Sequence, residues 1–99
     1  MNNSIKKFQD LMKKYLNGDI NSKEFSSAFT KLFYEKKQEI IPVNEFKIIE
    51  EVWGYLDVFE PDVSKRALYE VLIDEAKFKN EIKKAIKNLD KLKNETNNY

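Results

Sequence analysis

Only four residues in this chain, Gly18, Pro42, Gly54 and Pro61, belong to the two types that interrupt regular backbone. The stretches between them are long, and their apolar side chains recur three and four positions apart, the repeat of a helix that buries one face. This pairing of few breakers with helical periodicity predicts an all-α protein. With 99 residues the chain can build one hydrophobic core but not two, so residues 1–99 are read as a single helical domain.

Four amphipathic segments follow. In the first, about residues 5 to 17, Ile5, Phe8, Leu11, Met12, Tyr15 and Leu16 form the stripe, with Ser4 as N-cap and Gly18 as the stop. In the second, Asn21 and Glu24 read as a capping box, Ile20 and Phe25 as its hydrophobic staple, and Phe25, Ala28, Phe29, Leu32 and Phe33 as the buried stripe. The polar run Glu35 to Glu39 ends it, and Ile41, held extended by Pro42, belongs to a loop. Asn44 is the candidate cap of the third helix, with Phe46, Ile49, Val52, Trp53 and Leu56 on one face and an end near Phe59 ahead of Pro61. A short helical piece capped by Asp62 or Ser64 is expected through Leu68, Tyr69, Val71 and Leu72. The last helix starts at Asp74 and carries Phe78, Ile82, Ala85, Ile86 and Leu89 through at least Leu92, with residues 94–99 as a frayed tail. Short connections between amphipathic helices favour an antiparallel up-and-down four-helix bundle, with a short extra helical segment before the last helix. Its aromatic rings should supply much of the core, each contributing roughly 2 to 3 kcal/mol on burial.

The composition argues against several classes of function. The absence of Cys excludes disulfides and thiolate metal sites, and the absence of His removes the commonest general base and zinc ligand. The first sixteen residues contain Asp10 and four Lys and do not read as a signal peptide or membrane span, so a cytoplasmic protein with no membrane contact is expected. Adjacent helical residues point about 100° apart, so Glu50-Glu51 and Asp74-Glu75 do not converge as a catalytic dyad would. Asp57, Glu60 and Asp62 resemble the start of a calcium loop, but Asp62 stands where the loop needs Gly and Leu68 where it needs Glu. No enzyme activity, metal or cofactor is therefore expected.

Charge is unevenly distributed. The chain as a whole carries +1, yet residues 1–43 hold 8 basic and 5 acidic side chains, residues 44–75 hold 3 and 9, and residues 76–99 hold 7 and 3. An acidic block thus lies between two basic ones, a pattern that speaks to partners and encounter rates. Within it, Glu50, Gly54 and Asp57 share a stripe beside the Phe46 and Trp53 edge of the third helix. Gly in a helix interior costs about 1 kcal/mol relative to Ala, which suggests close approach by another helix or by a partner. Lys77, Lys84 and Lys91, seven apart with Lys87 beside them, form a basic stripe that a phosphate backbone could follow, or simply a solvated helix face. The stripe supports an alternative reading, a small helical nucleic-acid-binding protein.

Three stretches, YLNGDINSKEFS (15–26), EVWGYLDVFEPD (51–62) and YEVLIDEAKFKNEI (69–82), together resemble the colicin D immunity protein family, whose members include immunity proteins of contact-dependent growth inhibition systems. The likeness spans about residues 10 to 90. It implies a four-helix bundle that binds a tRNA-cleaving toxin domain, with acidic side chains standing in for RNA phosphates over the toxin's active-site cleft. The matching positions here are Glu51, Asp57, Glu60, Asp62, Tyr69, Glu70, Asp74 and Glu75. Glu50, from the helix-three stripe, joins them as a toxin-binding candidate, and Trp53 is the candidate aromatic anchor. The expected partner is one cognate nuclease toxin domain in a 1:1 complex, with no direct nucleic acid contact. Lys65 and Arg66 interrupt the acidic block, and the sequence assigns them no role.

Overall fold

The computed structural model describes residues 3–36 and 42–97. It contains helices α1 (Asn3–Leu16), α2 (Ser22–Lys36), α3 (Val43–Val58), α4 (Val63–Arg66) and α5 (Glu75–Asn97). The four long helices alternate in direction. Ring contacts pair Phe8 with Phe29 and Tyr15 with Phe25, which sets α1 antiparallel to α2, and Phe33 with Phe46 and Phe29 with Trp53 do the same for α2 and α3. Polar contacts of Tyr15 with Glu75 and of Gln9 with Asp90 run α5 antiparallel to α1. The result is the expected up-and-down bundle, with α5 packed on both α3 and α1.

Local chemistry accounts for most of the boundaries. Asn17, Gly18 and Asp19 close α1 in a Schellman motif: Gly18 takes φ +82°, its N–H donates to the Tyr15 carbonyl at 3.1 Å, and the Asp19 N–H reaches the Lys14 carbonyl at 2.9 Å. The capping box of α2 forms as read, the Glu24 N–H donating to Asn21 Oδ1 at 2.8 Å and the Asn21 N–H to Glu24 Oε1 at 3.0 Å. Asp74 caps α5, accepting from the Lys77 N–H at 2.8 Å.

Four boundary expectations need correction. α1 begins at Asn3, so Ser4 lies buried inside the first turn instead of capping it. α3 begins one residue after Pro42, which takes the N-cap position with extended backbone and no side-chain bond; Asn44 falls within the first turn. The proline ring fixes φ at the helix entrance but carries no side-chain acceptor, so α3 starts without a side-chain cap. The helical piece after Pro61 is one turn, Val63–Arg66, and residues 68–72 run through successive turns. A longer helix there would carry the chain away from the bundle, whereas Ile73 must come back beside Val58. α5 continues to Asn97, beyond the Asn94 at which the tail was expected to begin. The loop expected around Ile40 and Ile41 lies outside the described residues, as do residues 98–99.

The core is one cluster. Ile5, Phe8, Met12 and Tyr15 from α1 meet Phe25 and Phe29 from α2, Ile49 and Val52 from α3, and Phe78, Ile82, Ala85 and Leu89 from α5. Tyr15 stacks on Phe25 at 4.8 Å between ring centres, and Phe59 stacks on Phe78 at 4.7 Å. Gln9, buried on α1, donates to Asp90 Oδ1 at 2.7 Å, so this polar group under α5 has a partner.

Candidate functional site: an acidic corner closed by a two-residue bridge

α3 ends where Phe59 turns extended. The Ile73 N–H donates to the Val58 carbonyl at 2.8 Å and the Glu60 N–H to the Ile73 carbonyl at 2.9 Å, so Phe59 and Ile73 pair as a single parallel β-bridge. Both side chains pack against the core cluster. The bridge returns the chain to the end of α3 just before α5 starts, and thereby gathers Glu60, Asp62, Asp74 and Glu75 at one end of the bundle. These four carboxylates come from two sequence segments more than ten positions apart.

Each has a defined setting. Glu60 is half-buried, and its carboxylate accepts the Asp62 N–H at 3.2 Å. Asp62 caps α4, accepting from the Ser64 N–H at 2.8 Å and the Lys65 N–H at 3.3 Å. Asp74 caps α5, where a negative charge also suits the positive end of the helix dipole. Glu75 accepts from the Tyr15 hydroxyl at 2.9 Å, tying the start of α5 to the end of α1. Burial, reinforced by the neighbouring Glu75 carboxylate, raises the Tyr15 hydroxyl well above its ordinary pKa, so it stays a donor. Arg66, unplaced by sequence, donates from Nη1 to the Glu60 carbonyl at 2.7 Å. It braces the corner from inside; Lys65 is exposed.

The other candidates spread outward from this corner. Asp57 is exposed near the C-terminal end of α3, and Glu51 and Glu50 are exposed about 9 to 11 Å further back along the helix at 1.5 Å per residue. Gly54 is exposed between them, and a Cβ built on it would meet nothing within 4 Å. No helix of the bundle approaches it, which removes the internal motive for a glycine. Tyr69 and Glu70 are exposed in the turns after α4. Trp53 is half-buried, its ring stacked on Phe33 at 4.5 Å and 3° and edge-on to Tyr34, so one aromatic face is occupied by α2.

One charged group escaped the sequence reading. Glu81 is 8% exposed at the α3–α5 seam, where it accepts from Lys77 Nζ at 2.9 Å, from Lys84 Nζ at 3.3 Å and from the Tyr55 hydroxyl. The Lys77 hydrogen bond holds the Glu81 carboxyl below its usual range against the opposing effect of burial. The spacing of Lys77, Glu81 and Lys84 at i, i+4 and i+7 was visible in the sequence as an ion-pair pattern. Two lysines of the supposed phosphate-tracking stripe are therefore engaged with a carboxylate of their own helix. Among the described residues no group of acidic side chains is arranged to hold a metal ion, and no helix is long and apolar enough to cross a membrane.

A family model described as bacterial self-protective colicin-like immunity matches residues 3–89. The chain belongs to that family. No curated protein and no solved structure shows significant similarity to it. Membership of the colicin-like immunity family implies a cognate toxin as binding partner, and the matched span runs from α1 into α5 and covers the whole acidic corner.

Proposed function

We propose that this colicin-like immunity protein neutralises a tRNA-cleaving toxin domain, of the colicin D or contact-dependent inhibition kind, by laying its acidic corner over the toxin's cationic cleft. The observation that carries the proposal is the Phe59–Ile73 bridge, which assembles Glu60, Asp62, Asp74 and Glu75 into one surface at the exposed end of the bundle. A site that cleaves RNA must present cationic side chains to phosphate, and carboxylates held by caps and backbone bonds compete for those donors without reorganising first. Asp57, Glu51 and Glu50 extend the negative field along α3 and accelerate encounter. Tyr69 and Glu70, exposed in the turns between the corner's two segments, extend the proposed surface. The complex is taken as 1:1, since a single chain supplies the whole surface.

The test is to co-express the chain with the toxin domain encoded directly upstream of it, purify the pair at low salt, and assay tRNA cleavage with and without the immunity chain. Stable association with loss of cleavage is expected. A toxin domain that cleaves tRNA at full rate in a molar excess of this protein would overturn the proposal.

A further inference from the structure

Among the described residues six large apolar side chains stand exposed, and four of them, Val63, Leu68, Tyr69 and Val71, fall within nine consecutive positions. They are between 64% and 71% exposed. Single exposed apolar residues are ordinary on any protein surface; a contiguous group framed by polar ones marks a surface that another molecule covers. This group is also held in place. Asp62 caps α4, Arg66 clamps the Glu60 carbonyl, and the Leu68, Tyr69 and Leu72 N–H groups donate to the carbonyls of Lys65, Arg66 and Tyr69 in consecutive turns. No residue from 60 to 72 joins the core cluster, so the bundle's own packing does not account for these side chains.

We infer that residues 63–71 are the apolar centre of the toxin interface, seated in an apolar depression of the toxin that is rimmed by Lys and Arg. The inference rests on the toxin-binding reading above and adds where the affinity resides. Carboxylates outnumber cations around the patch: Asp62 precedes Val63, Glu70 lies between Tyr69 and Val71, and Glu60 and Asp74 stand at the bridge, against Lys65 and Arg66, the latter held on the Glu60 carbonyl. Residues 60–75 stay net negative even with Lys65 and Arg66 among them, so a two-fold contact between copies of this chain would set one net-negative surface against another, which is unfavourable. A partner with a cationic rim meets the same frame with favourable charge, and the desolvated centre then controls how long the complex lasts.

Binding kinetics of the full chain with the upstream-encoded toxin domain separate the two readings. The double variant Leu68→Ala/Val71→Ala should dissociate at least about tenfold faster while associating within about twofold of the wild-type rate, whereas Asp57→Lys should mainly slow association. Val63→Lys, on a side chain outside the core, should likewise accelerate dissociation, and circular dichroism melting checks that each variant is folded. Wild-type binding with unchanged dissociation in both apolar variants would overturn the apolar centre and leave toxin binding standing. If the wild type does not bind the toxin domain at all, both readings fall. A wild-type chain that sediments as a dimer and becomes monomeric in the double variant would assign the patch to a second copy and overturn the inference.

Discussion

Gly54 is a mid-helix glycine whose missing side chain makes room for nothing in its own chain. Its φ is not in the left-handed region, so the backbone does not need it either. Gly54→Ala should therefore stabilise the chain by about 1 kcal/mol in urea unfolding. If toxin affinity falls in the same variant, the close approach that the glycine permits belongs to the partner. Tyr15 offers a contrasting case, a buried ring whose hydroxyl spans two helices. Tyr15→Phe should cost about 1 kcal/mol through the lost bond to Glu75. Because the folded Tyr15 pKa lies above its ordinary 10.0, the stabilisation is complete below pH 10 and lost as pH rises above it, so the variant should show a weaker alkaline fall in stability. Glu81 has the opposite sign. Its folded pKa lies below the ordinary 4.5, so its contribution is present above that value and disappears as pH falls through the folded one. Glu81→Gln should lower stability at neutral pH and flatten the acid limb of the stability profile measured by thermal melting.

At the level of elements, the sequence was most legible where one helix end is specified by several residues at once. Asn21, Glu24, Ile20 and Phe25 agree on the start of α2, and Gly18 on the end of α1. Less was legible where a boundary depends on tertiary contact. α4 stops after one turn because the chain must bring Ile73 back to Val58, and no local residue announces a bridge formed fifteen positions away. For the site, sequence located the acidic block, but charge counting could not tell a carboxylate that caps a helix from one facing a partner. Asp74 performs the first role, and whether it also performs the second can be separated. Asp74→Ser keeps a good cap and removes the charge, so stability should stay within about 0.5 kcal/mol, whereas Asp74→Ala should cost about 1 kcal/mol. A weaker toxin complex in the Ser variant would give the charge its interface role.

For the whole molecule, the linear alternation of basic, acidic and basic blocks becomes a spatial one. α3 carries Glu50, Glu51 and Asp57, yet it packs on α5, whose Lys77 and Lys84 are drawn to Glu81 at the seam. The acidic face therefore has a basic border on its own bundle, which limits the cationic surfaces it fits. Reversing Glu50, Glu51 and Asp57 together should slow association with the toxin and flatten its salt dependence, with the unfolding midpoint little changed because all three side chains are exposed.

The Phe59–Ile73 bridge has an evolutionary consequence. It anchors both ends of the corner to the core and leaves residues 60–72 outside it, so that stretch behaves as a cassette. An immunity protein must keep pace with a toxin that mutates, and under the interface proposed above residues 60–72 can drift without any compensating change among the buried ones. Within that stretch a lineage can revise the surface while inheriting the core intact, whereas Asp74, which also caps α5, and Glu75, which bonds Tyr15, are less free to change.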